Sequence, residues 1–404
     1  MSESPPAPTY VLRGHSSAVH ALEFFGSNTY LASGDTDGWL VIWKLSSKRP
    51  VAVWKAHEGG LMQIKQWTGE RLITHGRDHK IRVWQLRNED FPVLSTTLPN
   101  ETPSDQQETQ QQPWLLHSLS VNALNFCAFS LCDQNPARKS LSITTPTPQL
   151  LASPNGLDSG GIDIFQLPSE RRVSQLQSDP SFNTGMVMAV KLCHTNEPQS
   201  KLLLISGYED GHVMVHSHSG AFDSKDHTWV KLMVGKPHSQ PVLSLDVLPS
   251  TSHFITSSAD AIVAKFALAL VETGRVESQS PEKSVNTKHA GQQGLVVRSD
   301  GKIFATAGWD GRIRVYSSKT MKELAVLKWH KDGCYAVNFA EVVLDDQKNS
   351  SAEAAHFGSS DSTALATRMT ALDHIKQERE DKVRSTHWLA AGGKDAKITL
   401  WEVY

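Results

Sequence analysis

The sequence predicts an all-β protein, a single seven-bladed β-propeller over residues 1–404 that is closed by its N-terminal strand. Three observations predict it. A hairpin with fixed internal spacing recurs along the chain, short alternating strands precede most of its copies, and the last copy stops too early to own a complete sheet.

The hairpin is clearest in LASGDTDGWLVIW and LITHGRDHKIRVW. Each has a small hydroxyl residue, an Asp four places later and an aromatic six places beyond that: Ser33, Asp37, Trp43 and Thr74, Asp78, Trp84. The spacing returns as Ser206, Asp210, His216, as Thr256, Asp260, Phe266 and as Thr306, Asp310, Tyr316. The final copy has Ala391, Asp395 and Trp401, and a degraded copy with a longer turn has Ser153 and Phe165. In each, two alternating runs flank a tight turn, the signature of a β-hairpin. Upstream lie VHALEF, VNALNF, VMAVKL, VLSLDV, GLVVRS and YAVNFA, expected as inner strands, and several follow a histidine: His15, His57, His238, His289, His330. The chain ends three residues past Trp401, so the seventh blade is expected to borrow TYVLRGH as its outer strand, which removes two open sheet edges.

Loop inserts are expected at about 87–114, 133–149, 270–288 and 341–387. The first is glutamine-rich, and the last splits the first two strands of the seventh blade. Within the last, Met369, Leu372 and Ile375 would share one helical face, with Glu378 and Lys382 as an i,i+4 pair. So narrow an apolar stripe favours a solvated loop over a stable helix.

Composition excludes several function classes. Lysine plus arginine is 40 against 42 acidic residues, which argues against a basic nucleic-acid surface. The N-terminal MSESPPAPTY has neither a basic nor an apolar leader region, and AIVAKFALALV is too short to span a bilayer. Four cysteines without a CxxC pair predict no disulfide framework and a reducing compartment. No phosphate loop, HExxH or GxSxG occurs, so no enzyme, cofactor or small-molecule substrate is expected. His216, His218, Cys193 and His194 supply too few converging ligands for zinc, and no metal site is expected.

The repeat resembles the WD40 family. In that family the blade's His, Ser/Thr, Asp and Trp form a buried hydrogen-bonded chain. The resemblance maps the role onto His15, Ser33, Asp37, Trp43 and onto His57, Thr74, Asp78, Trp84, with partial networks elsewhere, including Thr306 and Asp310. It also implies that the residue before each turn Asp points out of one face: Thr36, Arg77, Glu209, Ala259, Trp309 and Lys394. Arg77, Glu209, Trp309 and Lys394 are the candidate protein contacts, Arg77 and Trp309 foremost because exposed Trp and Arg are enriched at hot spots.

Longer segments carry a narrower likeness. YVLRGHSSAVHAL, HGRDHKIRVWQL, GYEDGHV, AGWDGRIRVY and GKDAKITLWEVY together resemble the fungal ASTRA-associated WD-repeat proteins, whose animal relative is called guanine nucleotide-binding protein β-subunit-like protein 1. The resemblance implies a non-catalytic scaffold of the ASTRA assembly. That assembly is linked to chromatin remodelling and to maturation of phosphatidylinositol-3-kinase-related kinases. Partners would be ASTRA subunits and kinase-maturation co-chaperones, in the nucleus and also the cytoplasm, with no nucleic acid or membrane bound directly. A G-protein β subunit would need a long N-terminal helix, whereas MSESPPAP precedes the first strand. The alternative is a substrate receptor of a cullin-type ubiquitin ligase, but Trp84-Gln85-Leu86-Arg87 lacks the Asp of the expected W-D-x-R.

Overall fold

The computed structural model describes residues 7–101, 111–124, 126–136, 147–196, 200–224, 226–268, 276–342 and 371–404. Seven antiparallel sheets form a ring, each running from an inner strand at the axis to an outer strand at the rim. The first blade shows the plan: Val19–Phe25, Tyr30–Asp35, Trp39–Lys44 and Arg49–Lys55 pair in chain order. Their alternation buries both faces, because each sheet is sandwiched between neighbours. Seven apolar clusters result among the described residues, each shared by two adjacent blades.

The closing sheet runs Tyr10–Arg13, Lys397–Glu402, Trp388–Gly393, Cys334–Phe339, so the N-terminal strand supplies the outer strand of the seventh blade. Leu12 anchors it by inserting into the cluster between blades seven and one. Burying such a side chain is worth about 1.5–3 kcal/mol.

Irregularities recur at fixed places. In all blades but the third, the register slips at the start of the inner strand, as between Val19 and Ala21. In blades one, two, three, four and six it slips again just before the aromatic position of the third strand, as between Ile42 and Trp43. A bulge kinks and twists the strand locally, and here it re-aims the aromatic into the sheet interface.

The structure corrects several expectations. Val121–Leu124, expected within an inner strand, do not form one; the third blade's inner strand is Ser130–Asp133, and residues 121–124 and 126–129 lie outside any strand. The stretch 270–288 contributes Glu277–Ser278, a parallel fifth strand on blade four, and Lys283–Asn286, the outer strand of blade five. Residues 87–101 pack back across blade one: Val53 N–H donates to Ser95 O at 2.7 Å, Leu94 is buried, and Asn100 N–H donates to Gly14 O at 3.0 Å.

Part of 341–387 is also ordered. Ala371–Ser385 is a helix docked below blades seven and one. Its contact is not the predicted stripe, since Ile375 faces solvent; Met369 lies outside the described residues, as does the side chain of Leu372. Val383 enters the core instead, Glu380 pairs with Lys44 at 2.6 Å, and Asn28 Nδ2 donates to Glu341 O and Arg384 O at 2.8 and 3.2 Å. No helix among the described residues is long and apolar enough to cross a membrane.

Candidate functional site

The site begins with the polar chains that set the turns. In blade two, Trp84 Nε1 donates to Thr74 Oγ1 at 2.9 Å, Thr74 Oγ1 meets His57 Nε2 at 2.7 Å, and His57 Nδ1 meets Asp78 at 2.8 Å. A neutral histidine protonated on Nδ1 satisfies every link in that order. Asp78 also accepts from Arg82 at 2.7 Å and from the N–H of Glu58 at 3.2 Å. Burial alone would raise the Asp78 carboxyl, but His57 and Arg82 overcome it and hold it well below the usual carboxylate range. Burial pushes His57 down, against the pull of Asp78.

Blade one has the same chain with one substitution. Trp43, Ser33 and His15 link at 2.8 and 2.7 Å, but His15 Nδ1 meets Asp35 at 2.7 Å, not the expected Asp37. Asp35 ends the second strand fully buried, and its other oxygen accepts from the N–H groups of Asp37 and Trp39, both at 3.0 Å. Asp37 is exposed.

Blade seven overturns a second expectation. Ala391 lacks a hydroxyl, yet the chain is complete: Trp401 Nε1 donates to Thr399 Oγ1 at 3.0 Å, which meets His330 Nε2 at 3.0 Å, and His330 Nδ1 meets Asp395 at 2.9 Å. Thr399 is the cross-strand partner of Ala391, so the hydroxyl has moved one strand over.

The other blades are partial. Blade five joins His238 to Thr256 and Asp260 at 2.9 and 3.2 Å, while Phe266 stacks on Phe254 at 5.0 Å where Trp would stand. In blade six Thr306 donates to Gln292 at 2.9 Å and Asp310 takes Arg314 at 2.7 Å, so those two residues do not share a histidine. In blade four His216 fills the aromatic position, and His218 stacks on Phe222 at 4.1 Å. Among the described residues no group of three or more His, Cys, Asp or Glu is placed to hold a metal.

These chains pin the turns so that the residues before them line one face. Arg77, Glu209, Trp309 and Lys394 are exposed there, with Thr36, while Ala259 is half-buried. Arg77 lies over the ring of Phe126 at 3.8 Å, Trp309 Nε1 donates to Gln293 at 2.7 Å, and Glu209 accepts from Met186 N–H at 3.1 Å. Gly291, at φ 77°, passes directly under the Trp309 ring, where a Cβ would collide with it. The face surrounds the mouth of an axial channel of about 360 Å³, lined by inner-strand residues including His20, Lys65, Lys191 and Asp246. His20 stacks on Tyr335 at 4.5 Å at the mouth, and burial, helped by Arg77, pushes its ring down to about 4. Lys65 meets Glu23 at 2.8 Å and Lys191 meets Asp246 at 2.7 Å, so both lining lysines are paired with carboxylates. Phe126 was missed by sequence reading because it was assigned to a strand.

A sequence profile described as ASTRA-associated protein 1 matches residues 8–401. The chain belongs to that family. Two of the relatives span its whole length. The protein of that name from Penicillium rubens is 50% identical over 435 residues, covering 100% of this chain and 98% of its own. That of Aspergillus niger is 48% identical, with 100% and 98% covered, and that of Schizosaccharomyces pombe is 34% identical, with 83% and 93% covered.

Proposed function

We propose that this chain is a non-catalytic adaptor within the ASTRA assembly, acting in chromatin remodelling and in maturation of phosphatidylinositol-3-kinase-related kinases through protein contacts in the nucleus. The observation that carries the reading is membership, almost end to end, in a family whose proteins are named for ASTRA association. A rigid ring with an exposed, loop-built face is the physical form such a role needs, because it holds recognition side chains without ordering them at binding. Near balance of 40 basic and 42 acidic residues favours protein contacts over DNA as the route to chromatin.

The test is a pull-down from the organism's own cells with the tagged chain, beside Trp309→Ala and Arg77→Ala and thermal melts of all three. Wild type should recover ASTRA subunits and kinase-maturation co-chaperones. The two variants should recover them at least tenfold less well, about 1.4 kcal/mol, with unchanged melting. Equal recovery by all three would remove this face from the contact. Recovery of cullin-ligase subunits in place of ASTRA subunits would overturn the reading. Imaging of the tagged chain tests the nuclear location.

A further inference from the structure

The axial channel is built with a regular step. In every blade but the third, the register slip at the start of the inner strand leaves one residue unpaired. Five of these residues, His20, Met62, Leu243, Gln293 and Tyr335, line the channel at its turn-bearing end. Three residues further along the same strands stand Glu23, Lys65, Asp246, Val296 and Asn338, with Lys191 at the equivalent place on blade four. All of these but Glu23 line the lumen. A bulge repeated at one point in successive blades brings equivalent positions to one level. Here that level is a polar belt.

Contacts join the belt. Lys65 Nζ donates to Glu23 Oε2 at 2.8 Å, and Asn338 Nδ2 donates to the same oxygen at 3.0 Å. Lys191 Nζ meets Asp246 Oδ1 at 2.7 Å, and Asp246 also accepts from the N–H groups of Val247 and Val297 at 3.0 and 2.8 Å. Asp246 raises the Lys191 ammonium against burial, and Glu23 adds to that pull, so the two ion pairs lie within electrostatic reach of each other. Blade three breaks the belt. The residues it lends to the lining, 126 and 128–131, are uncharged. Lys65 and Lys191 therefore flank a stretch of lining that has no carboxylate.

What the belt presents to the lumen is donors. The Lys65 and Lys191 side chains are 35% and 36% exposed, whereas Glu23 and Asp246 are each 13% exposed. An ammonium has three N–H donors, and among the described residues each of these two meets a single carboxylate. Arg77 stands at the mouth beside His20, and burial alone shifts its guanidinium, downward, with no acid pulling the other way. Counting the charged lining residues with their ion-pair partners, three cations meet two carboxylates. A chamber of about 360 Å³ with a few convergent polar groups has the size of a small-ligand site. Donors in excess of acceptors require a ligand rich in acceptor oxygens.

We infer that the channel binds a small oxyanion, a phosphate or carboxylate group, which enters past Arg77 and is held by Lys65 and Lys191 across the blade-three gap. The two ammonium groups supply charge-assisted hydrogen bonds, and Glu23 and Asp246 fix the lysines in place to give them. Either a free anion or an acidic side chain of a partner brings this chemistry. The site stands apart from the adaptor reading, since no ASTRA subunit is needed to form it.

The test is calorimetric titration of the full chain at fixed ionic strength with inorganic phosphate, pyrophosphate, citrate and a short glutamate-containing peptide. Saturable one-to-one binding of at least one probe is expected. Binding of the free anions identifies a soluble ligand, and binding of the peptide alone identifies a partner's acidic side chain. Lys191→Met should weaken the interaction about tenfold or more. Lys191→Arg keeps the charge and should bind at least about threefold more tightly than Lys191→Met. Arg77→Gln breaks no ion pair, so it keeps the wild-type melting temperature and decides the case even where Lys191→Met disturbs Asp246. It should weaken binding about threefold. Lys394→Gln, on the same face but outside the channel lining, should change nothing. Absence of binding by all four probes, unchanged affinity in Arg77→Gln, or an equal loss in Lys394→Gln overturns the proposal.

Discussion

Blades two and three sit side by side and solve the same problem differently. Blade two ties its turn to its strands through His57, Thr74, Asp78 and Trp84. Blade three keeps only the hydroxyl, Ser153, whose buried Oγ makes no hydrogen bond. Asn155 stands at its turn, reaching Asp163 at 2.9 Å and accepting from the N–H groups of Leu157 and Asp158, both at 2.8 Å. The turn side chains Asp78 and Asn155 are both hydrogen-bonded, as buried polar groups usually are. Only blade two runs a chain from turn to core. The difference teaches that the polar chain secures rigidity of the turn rather than the blade itself, and that a blade relieved of it is free to present a loop.

The comparison breaks or sharpens in stability measurements. Asp78→Ala strands His57 and Arg82 and should lose about 3 kcal/mol, since removing one partner of a buried pair costs that order. A shift of the urea midpoint at unchanged slope measures it. The pH dependence comes next. His75 is buried at the boundary of these two blades against Phe129, and its side chain makes no hydrogen bond. Burial, helped by His57, pushes it down to about 3. The native ring stays neutral while the unfolded one gains a proton below about 6.5. Stability should therefore be full above about 6.5 and fall as pH drops toward 3. His75→Phe should flatten that slope in melts taken across the range.

Smaller effects follow. Thr399→Val leaves His330 and Trp401 short of a partner and should cost about 2 kcal/mol, as much as a complete chain would predict. Asn155→Ala should cost about 1 kcal/mol, as loss of a local side-chain-to-turn bond does. If it costs as much as Asp78→Ala in the same unfolding series, the contrast between the blades disappears. Asp37→Ala should stay within about 0.5 kcal/mol, because an exposed turn residue has no buried partner to strand.

The strands and their closure were legible because alternation and turn residues are local properties. Both main misreadings of the networks concern which residue carries a role. In DTDG two aspartates flank Thr36, and spacing alone favours Asp37. Burial at the strand end selects Asp35, and burial is a tertiary fact. Likewise Ala391 looks like a gap until pairing with Thr399 is known. The helix 371–385 was underrated because, among the described residues, the apolar residue it sends into the core is Val383, supported by polar ties from Asn28, Thr29 and Lys44. A stripe-based reading has no access to such ties. Residues 121–124 read as part of a strand by alternation, but Val121 and Ala123 bond to His79 on the neighbouring turn instead.

The closing strand has a consequence for synthesis. Tyr10–Arg13 pairs with Lys397–Leu400, so the first strand made must wait for one of the last. At elongation rates of about 5–20 residues per second, that wait is roughly 20 to 80 s. Throughout it, the nascent chain carries an unpaired N-terminal strand, and the apolar side of Leu12 has no cluster to enter. A ring sealed between Tyr10–Arg13 and Lys397–Leu400 is therefore vulnerable longest at the point that finally makes it stable.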